Sequence, residues 1–168
     1  LHKAIRRQRQ MCIRDSNLSV DTIICLEGTE IIGAFLAREL AKEGHTSINS
    51  GKDICVITPE TNANNQMIFR DNIQKHVFNK QILLLISSAS TGKTINRSVE
   101  CLQYYNGQLA GVASIFSAIN EHNGIQINSI FTSEDLNNYE TMSAHDCKLC
   151  KSGQKVDAII NSFGYSKI

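Results

Sequence analysis

The sequence predicts an α/β domain: an open, mostly parallel twisted sheet flanked by helices. Three observations carry that prediction. Short apolar runs recur at 20–26, 54–57, 82–86, 109–116 and 127–131, the first of them rich in β-branched residues. Stretches of helical period follow two of them, at 30–43 and from Ile95 to Tyr105. The apolar runs at 54–57 and 82–86 show no polar alternation, as expected of parallel strands covered on both faces.

Each element has its own warrant. Residues 20–26 (Val-Asp-Thr-Ile-Ile-Cys-Leu) form a strand that Glu27-Gly28-Thr29-Glu30 interrupts. The next helix places Ile31, Ile32, Phe35, Leu36 and Leu40 on one face and Arg38, Glu39, Lys42 and Glu43 on the other, with Gly44 as its stop. Thr58-Pro59 closes the strand at 54–57, and the polar residues 61–66 read as a mobile loop. Ile82 to Ile86 is the clearest buried strand, and 87–94 is a loop of small residues before a helix with Ile95, Val99, Leu102 and Tyr105 on one stripe. Gly107 ends that helix. Residues 120–124 turn between the last two strands. Near the end of the chain, Val156, Ile159 and Ile160 suggest a short amphipathic helix, with Phe163-Gly164-Tyr165 packing as a terminal turn.

Composition narrows the function classes. The 168 residues, 42% hydrophobic and 20% charged, suit one domain with a real core. A formal charge of +1, with no charged block in the body, argues against nucleic acid as a partner. The longest apolar run has five residues, far short of the roughly 20 needed to cross a membrane. No secretory signal is visible, and Cys25, Cys55 and Cys101 lie inside apolar patterns, so a reducing cytoplasm is expected. Residues 1–16 stand apart. They hold five of the seventeen Lys and Arg residues and resemble translated adaptor sequence, so they are read as a non-native leader on a domain whose own N-terminus is missing. The body is then 17–135, and 136–168 is a tail.

In open α/β sheets, ligands bind beyond the carboxyl ends of the strands. Two strand-to-helix turns here suit an anion, because a helix N-terminus presents unpaired N–H groups and small residues admit a close approach. Ser87-Ser88-Ala89-Ser90-Thr91-Gly92-Lys93-Thr94 is the richer, although serine and threonine also cap helices without any ligand. A Walker A reading fails, since the position that needs its first glycine is Ser87.

Residues 82–95 resemble the phosphoribosyl pyrophosphate motif of type I phosphoribosyltransferases: four apolar residues, two acids, three variable residues, then Thr-Gly-Gly-Thr. Ile82 to Leu85 take the strand, and Thr91-Gly92-Lys93-Thr94 the phosphate loop. Glu27-Gly28-Thr29-Glu30 resembles the family's pyrophosphate loop, with Gly33 allowing close helix packing. The order of the turns and the polar loop between them also match, most nearly the orotate phosphoribosyltransferase-like proteins. The resemblance covers about 20–131 and implies transfer of a 5-phosphoribosyl group from phosphoribosyl pyrophosphate to a pyrimidine-like base, with Mg2+. It implies a 5′-phosphate seat at Ser90, Thr91, Gly92, Lys93 and Thr94, and pyrophosphate binding by Glu27, Gly28, Thr29 and Glu30. The ribose side falls to Ser87 and Ser88, and catalytic basic residues to Arg70 and Lys75.

The departures matter as much. Ile86 and Ser87 stand where the paired acids would hold the ribose hydroxyls, and Lys93 replaces the second glycine. Asp71 follows Arg70 where a lysine is common. A non-catalytic module that binds a phosphoribosyl compound or nucleotide is therefore the alternative to an enzyme. In the tail, His145, Cys147 and Cys150 form a His-x-Cys-x-x-Cys group. A structural Zn2+ site needs four ligands, so His45, His76 or a partner subunit would have to complete it. A redox dithiol and two ordinary reduced thiols are the other readings. A homodimer, or a scaffold assembled through this tail, is left open.

Overall fold

The computed structural model describes residues 18–42, 48–63, 66–136, 139–143, 145–161 and 164–168. Its body is a six-stranded sheet. In chain order the elements are β1 (Thr22–Cys25), α1 (Glu30–Ala41), β2 (Cys55–Ile57), β3 (Glu60–Thr61), β4 (Met67–Ile68), α2 (Asp71–Gln74), β5 (Gln81–Ala89), α3 (Lys93–Tyr104), β6 (Gln108–Ser117), β7 (Glu121–His122) and β8 (Ile125–Thr132). The tail adds α4 (Lys148–Lys151), β9 (Ala158–Asn161) and β10 (Gly164–Lys167).

The strand order is β2-β1-β5-β6-β8-β7, parallel throughout except for β7, which turns back antiparallel on β8. The chain leaves β1 toward β2 on one side and later returns to place β5 on the other. That reversal puts a crevice at the carboxyl ends of β1 and β5, where open α/β sheets bind ligands.

Both sheet faces are covered, which explains the continuous apolar runs. Ile82, Leu84 and Ile86 of β5 point into one core with Ile24, Phe69, Val77, Ile95 and Leu102, while Leu83 and Leu85 point into a second with Val20, Ile23, Ala37 and Leu40. The two-residue alternation of a strand thus feeds two cores, one with Ile95 and Leu102 of α3 and one with Ala37 and Leu40 of α1.

Four local expectations are corrected. The buried stripe of α1 is Gly33, Ala37 and Leu40, whereas Ile31, Ile32 and Phe35 face outward. The helix approaches β1 through its smallest residue, since a Cβ on Gly33 would strike the Cys25 sulfur. Next, β5 runs on to Ala89, because Ser88 and Ala89 pair with Phe116 and Ser117 of β6, so Ser87 and Ser88 are strand residues. The polar residues after Pro59 begin and end in a hairpin, β3–β4, in which Asn62 and Gln66 exchange hydrogen bonds of 3.1 and 3.0 Å. Finally, Ile159 and Ile160 lie in a β9–β10 hairpin rather than a helix, and both side chains are exposed, as is Val156. Gly44 and Phe163 lie outside the described residues.

Candidate functional site

The first turn is fastened to the neighbouring strand. After β1, the Leu26 N–H donates to the Leu85 carbonyl of β5 at 2.9 Å. Glu27 and Gly28 then take positive φ values of 59° and 79°, which reverses the chain within two residues. Thr29 is only 1% exposed, and its hydroxyl is directed at the carbonyls of Leu26 (2.9 Å) and Leu85 (3.2 Å). It ties the turn to the sheet, so the pyrophosphate role expected of Thr29 would fall to its main chain and not to its hydroxyl. Beneath it, burial pushes the Cys25 thiol up to about 11, against a hydrogen bond with Thr29 that lowers it.

The second turn is open. Gly92, at φ 73°, is the N-cap of α3, and its carbonyl accepts the first helical bond, from the Asn96 N–H at 3.0 Å. The first N–H groups of α3 have no partner inside the helix, and its positive dipole end points outward with them. Thr91 and Lys93 are exposed and Ser90 and Thr94 half-buried. Together with Ser88 and Glu27 they line a cavity of about 110 Å3, the size of a phosphate group with some of its surroundings. His122 of β7 packs its imidazole against Gly92, where an added Cβ would strike the ring. The ring is held by Asn96, with Nε2 and Oδ1 2.9 Å apart, and Asn123 donates to the same Oδ1 at 3.1 Å.

Glu27 joins the two turns. Its Oε2 accepts from the backbone N–H groups of Ser87 (3.2 Å) and Ser88 (3.4 Å) and from the Ser87 hydroxyl. A larger cavity, about 410 Å3, extends from it past Gly28, Glu30, Thr58, Thr94 and Arg97. Glu30 accepts from the Thr58 hydroxyl at 3.1 Å.

Neither a family model nor a curated protein matches this sequence. Solved structures do match. Adenine phosphoribosyltransferase from Thermoanaerobacter pseudethanolicus superposes with a TM-score of 0.52 at 15% identity, over 77% of this chain and 80% of that one. Hypoxanthine phosphoribosyltransferase from Staphylococcus aureus gives 0.52 at 12% identity, over 78% and 72%. Orotate phosphoribosyltransferase from Aeropyrum pernix gives 0.50 at 14%, over 92% and 77%. The chain has the phosphoribosyltransferase fold. At these identities the match speaks to the fold alone, and purine and pyrimidine enzymes match equally well.

Within the phosphoribosyltransferase fold, the residues expected at the site divide. Glu27, Gly28, Glu30, Ser88 and Ser90 to Thr94 line the two cavities at the strand ends, and Ser87 lies beneath Glu27. Arg70 does not join them. Its guanidinium is clasped by Glu60 at 2.8 and 2.6 Å, which lowers the Glu60 carboxyl and raises Arg70. The adjacent Phe69 N–H faces the hydroxyl of Tyr105, the residue that caps the opposite end of α3 from Gly92. Lys75 is farther still: the neighbouring His76 carbonyl accepts from Thr22, the first residue of β1, so Lys75 sits at the amino ends of the strands. Sequence reasoning missed Arg97, His122 and Asn96. Arg97 lies one helical turn after Lys93, and Asn123-Gly124 is a hairpin signal that would have brought His122 back over the loop.

The two metals fare differently. Mg2+ is usually held by one or two carboxylates together with substrate phosphates. Glu27 and Glu30 on one cavity wall fit that role and would hold the ion only with a ligand's oxygens, since no three metal-ligating residues converge among the described residues. Among the described residues His145, Cys147 and Cys150 form no three-ligand group for Zn2+, and His45, one of the residues that would complete it, lies outside them. The Cys150 N–H donates to the Cys147 sulfur at 3.4 Å, which lowers the Cys147 thiol, while the hydrogen bond between the two side chains raises that of Cys150.

Proposed function

We propose that this chain binds phosphoribosyl pyrophosphate and transfers its 5-phosphoribosyl group to a ring nitrogen of a pyrimidine-like base, as an orotate-type phosphoribosyltransferase. One observation carries the reading: at the crevice between β1 and β5, a hydroxyl-rich loop on a helix N-terminus faces a turn bearing two carboxylates. Ser90, Thr91, Thr94, the first N–H groups of α3 and the Lys93 ammonium would seat the 5′-phosphate. The ribose would lie over Ser87 and Ser88. The larger cavity, with Gly28, Glu30 and Arg97, would take the pyrophosphate. In the transfer, the bond from the ribose anomeric carbon to the pyrophosphate oxygen breaks and a carbon–nitrogen bond forms. The pyrophosphate leaves with the electron pair, and the proton of the base nitrogen passes to solvent. Mg2+, when bound, supplies neutralisation of the pyrophosphate charge. Arg97 would be the protein's own cation there, in place of Arg70 and Lys75.

A second reading is favoured by Ile86. It is fully buried in the apolar core, and Ser87 brings no charge, so positions 86 and 87 present no acid to a ribose. A protein that binds a phosphoribosyl compound or a nucleotide without turnover would keep the phosphate loop and lose those acids.

Calorimetric titration of phosphoribosyl pyrophosphate and of ribose 5-phosphate, each with Mg2+, separates the two. Tighter binding of the pyrophosphate compound, with pyrophosphate released on addition of a base, supports the transferase. Equal binding of both without release supports the binding protein, and binding of neither removes both. The free thiols of Cys25, Cys55, Cys101, Cys147 and Cys150 are consistent with the reducing cytoplasm in which either would work. No helix among the described residues is long and apolar enough to cross a membrane.

A further inference from the structure

A carboxylate does reach the end of β5, from an element sixty residues away in sequence. Glu27 is placed there by three donors on Oε2, the N–H groups of Ser87 and Ser88 and the Ser87 hydroxyl. Its other oxygen, Oε1, has no hydrogen-bond partner among the described residues. The residue holds φ 59°, a conformation unfavourable for a non-glycine residue that persists where surrounding contacts enforce it. Of the residues lining the cavity with Ser90 to Thr94, it is the only acid.

We infer that Glu27 is the sugar-specificity residue of this site, with Oε1 accepting the vicinal hydroxyls of a ribose whose 5′-phosphate rests on Ser90 to Thr94. The inference rests on the phosphate seat proposed above. An ionised carboxylate only accepts hydrogen bonds and has lone pairs for two hydroxyls. Bonds to an ionised acceptor are about twice as strong as neutral ones. Because Oε2 is already fixed by the strand, Oε1 is oriented before the ligand arrives, so little ordering opposes binding. A carboxylate that merely filled the anion's place would act with the opposite sign, since its charge would repel the phosphate.

The test is calorimetry in EDTA with uridine 5′-monophosphate and its 2′,3′-dideoxy analogue, on the unaltered protein and on Glu27→Gln. The unaltered protein should bind the ribonucleotide about tenfold more tightly, and Glu27→Gln should bind the two alike. Discrimination that survives in Glu27→Gln, tighter binding of both nucleotides by that variant, or discrimination that needs Mg2+ would each overturn the inference. If the unaltered protein binds both nucleotides equally, the phosphate seat stands and the role of Glu27 falls; if it binds neither, both fall. Ser87→Ala, which removes one anchor of Oε2 and keeps the carboxylate, should show reduced discrimination, and full discrimination in it would count against the anchoring.

Discussion

The β1–α1 and β5–α3 turns share a plan, a buried parallel strand followed by positive-φ backbone and a helix, yet they leave different groups available. In the first, Thr29 directs its hydroxyl at two backbone carbonyls and Glu27 places one oxygen on Ser87 and Ser88. In the second, Thr91 and Lys93 are exposed and the first N–H groups of α3 face a cavity. Thr29 is bound into the sheet, whereas Thr91 and Lys93 are left open, as the proposed phosphate seat requires. A polar residue in such a turn is a ligand group only if the backbone has not already taken its hydrogen bond.

That contrast can be broken at Gly92, where the largest effect is expected. Gly92→Val puts a β-branched residue at φ 73° and drives its Cβ into His122. Affinity for ribose 5-phosphate should fall about a hundredfold, roughly 2.7 kcal/mol by calorimetry. Unchanged affinity would mean that the ligand does not use this loop.

Thr29→Val tests the other turn through stability. It leaves two buried carbonyls without the hydroxyl they share, and urea unfolding should show a loss of about 2 kcal/mol. Ribose 5-phosphate affinity of the folded variant should stay the same. Lys93→Ala should do the reverse, lowering affinity about tenfold, near 1.4 kcal/mol, with unfolding changed by less than about 0.5 kcal/mol. If Thr29→Val altered binding and Lys93→Ala altered stability, the division between Thr29 as a structural residue and Lys93 as a binding residue would be wrong.

The same division explains what could be read from the sequence. The sheet was legible because continuous apolar runs such as Ile82 to Ile86 have one stable use, burial between two helical layers. The two turns were legible because strand, small residues and helix adjoin in the chain. The packing of His122 on Gly92 was less so, since it depends on how a hairpin folds back, and a helical count of apolar residues misassigned the buried face of α1. There Gly33 was worth more than Phe35, because close packing against Cys25 needs the absence of a side chain. Arg70 and Lys75 enter only through the resemblance, which looks for basic residues in the loop ahead of β5. Charge does not show that Glu60 already holds one, or that the other lies at the far ends of the strands.

Cys25 offers the mildest test of the first turn's rigidity. Its thiol is buried below Thr29 and is pushed up to about 11, so the folded protein keeps it protonated after the unfolded chain has begun to ionise it. With the folded value above the unfolded one, the contribution to stability is complete at neutral pH and is lost as pH rises through the unfolded value toward 11. Between about pH 9 and 10 this thiol alone should remove about 1 kcal/mol. Other groups titrate there too, so the informative quantity is the difference between the unaltered protein and Cys25→Ala, which should shrink by that amount over the same interval. A constant difference would mean that solvent reaches the thiol in the native state, and the first turn would then open as freely as the second.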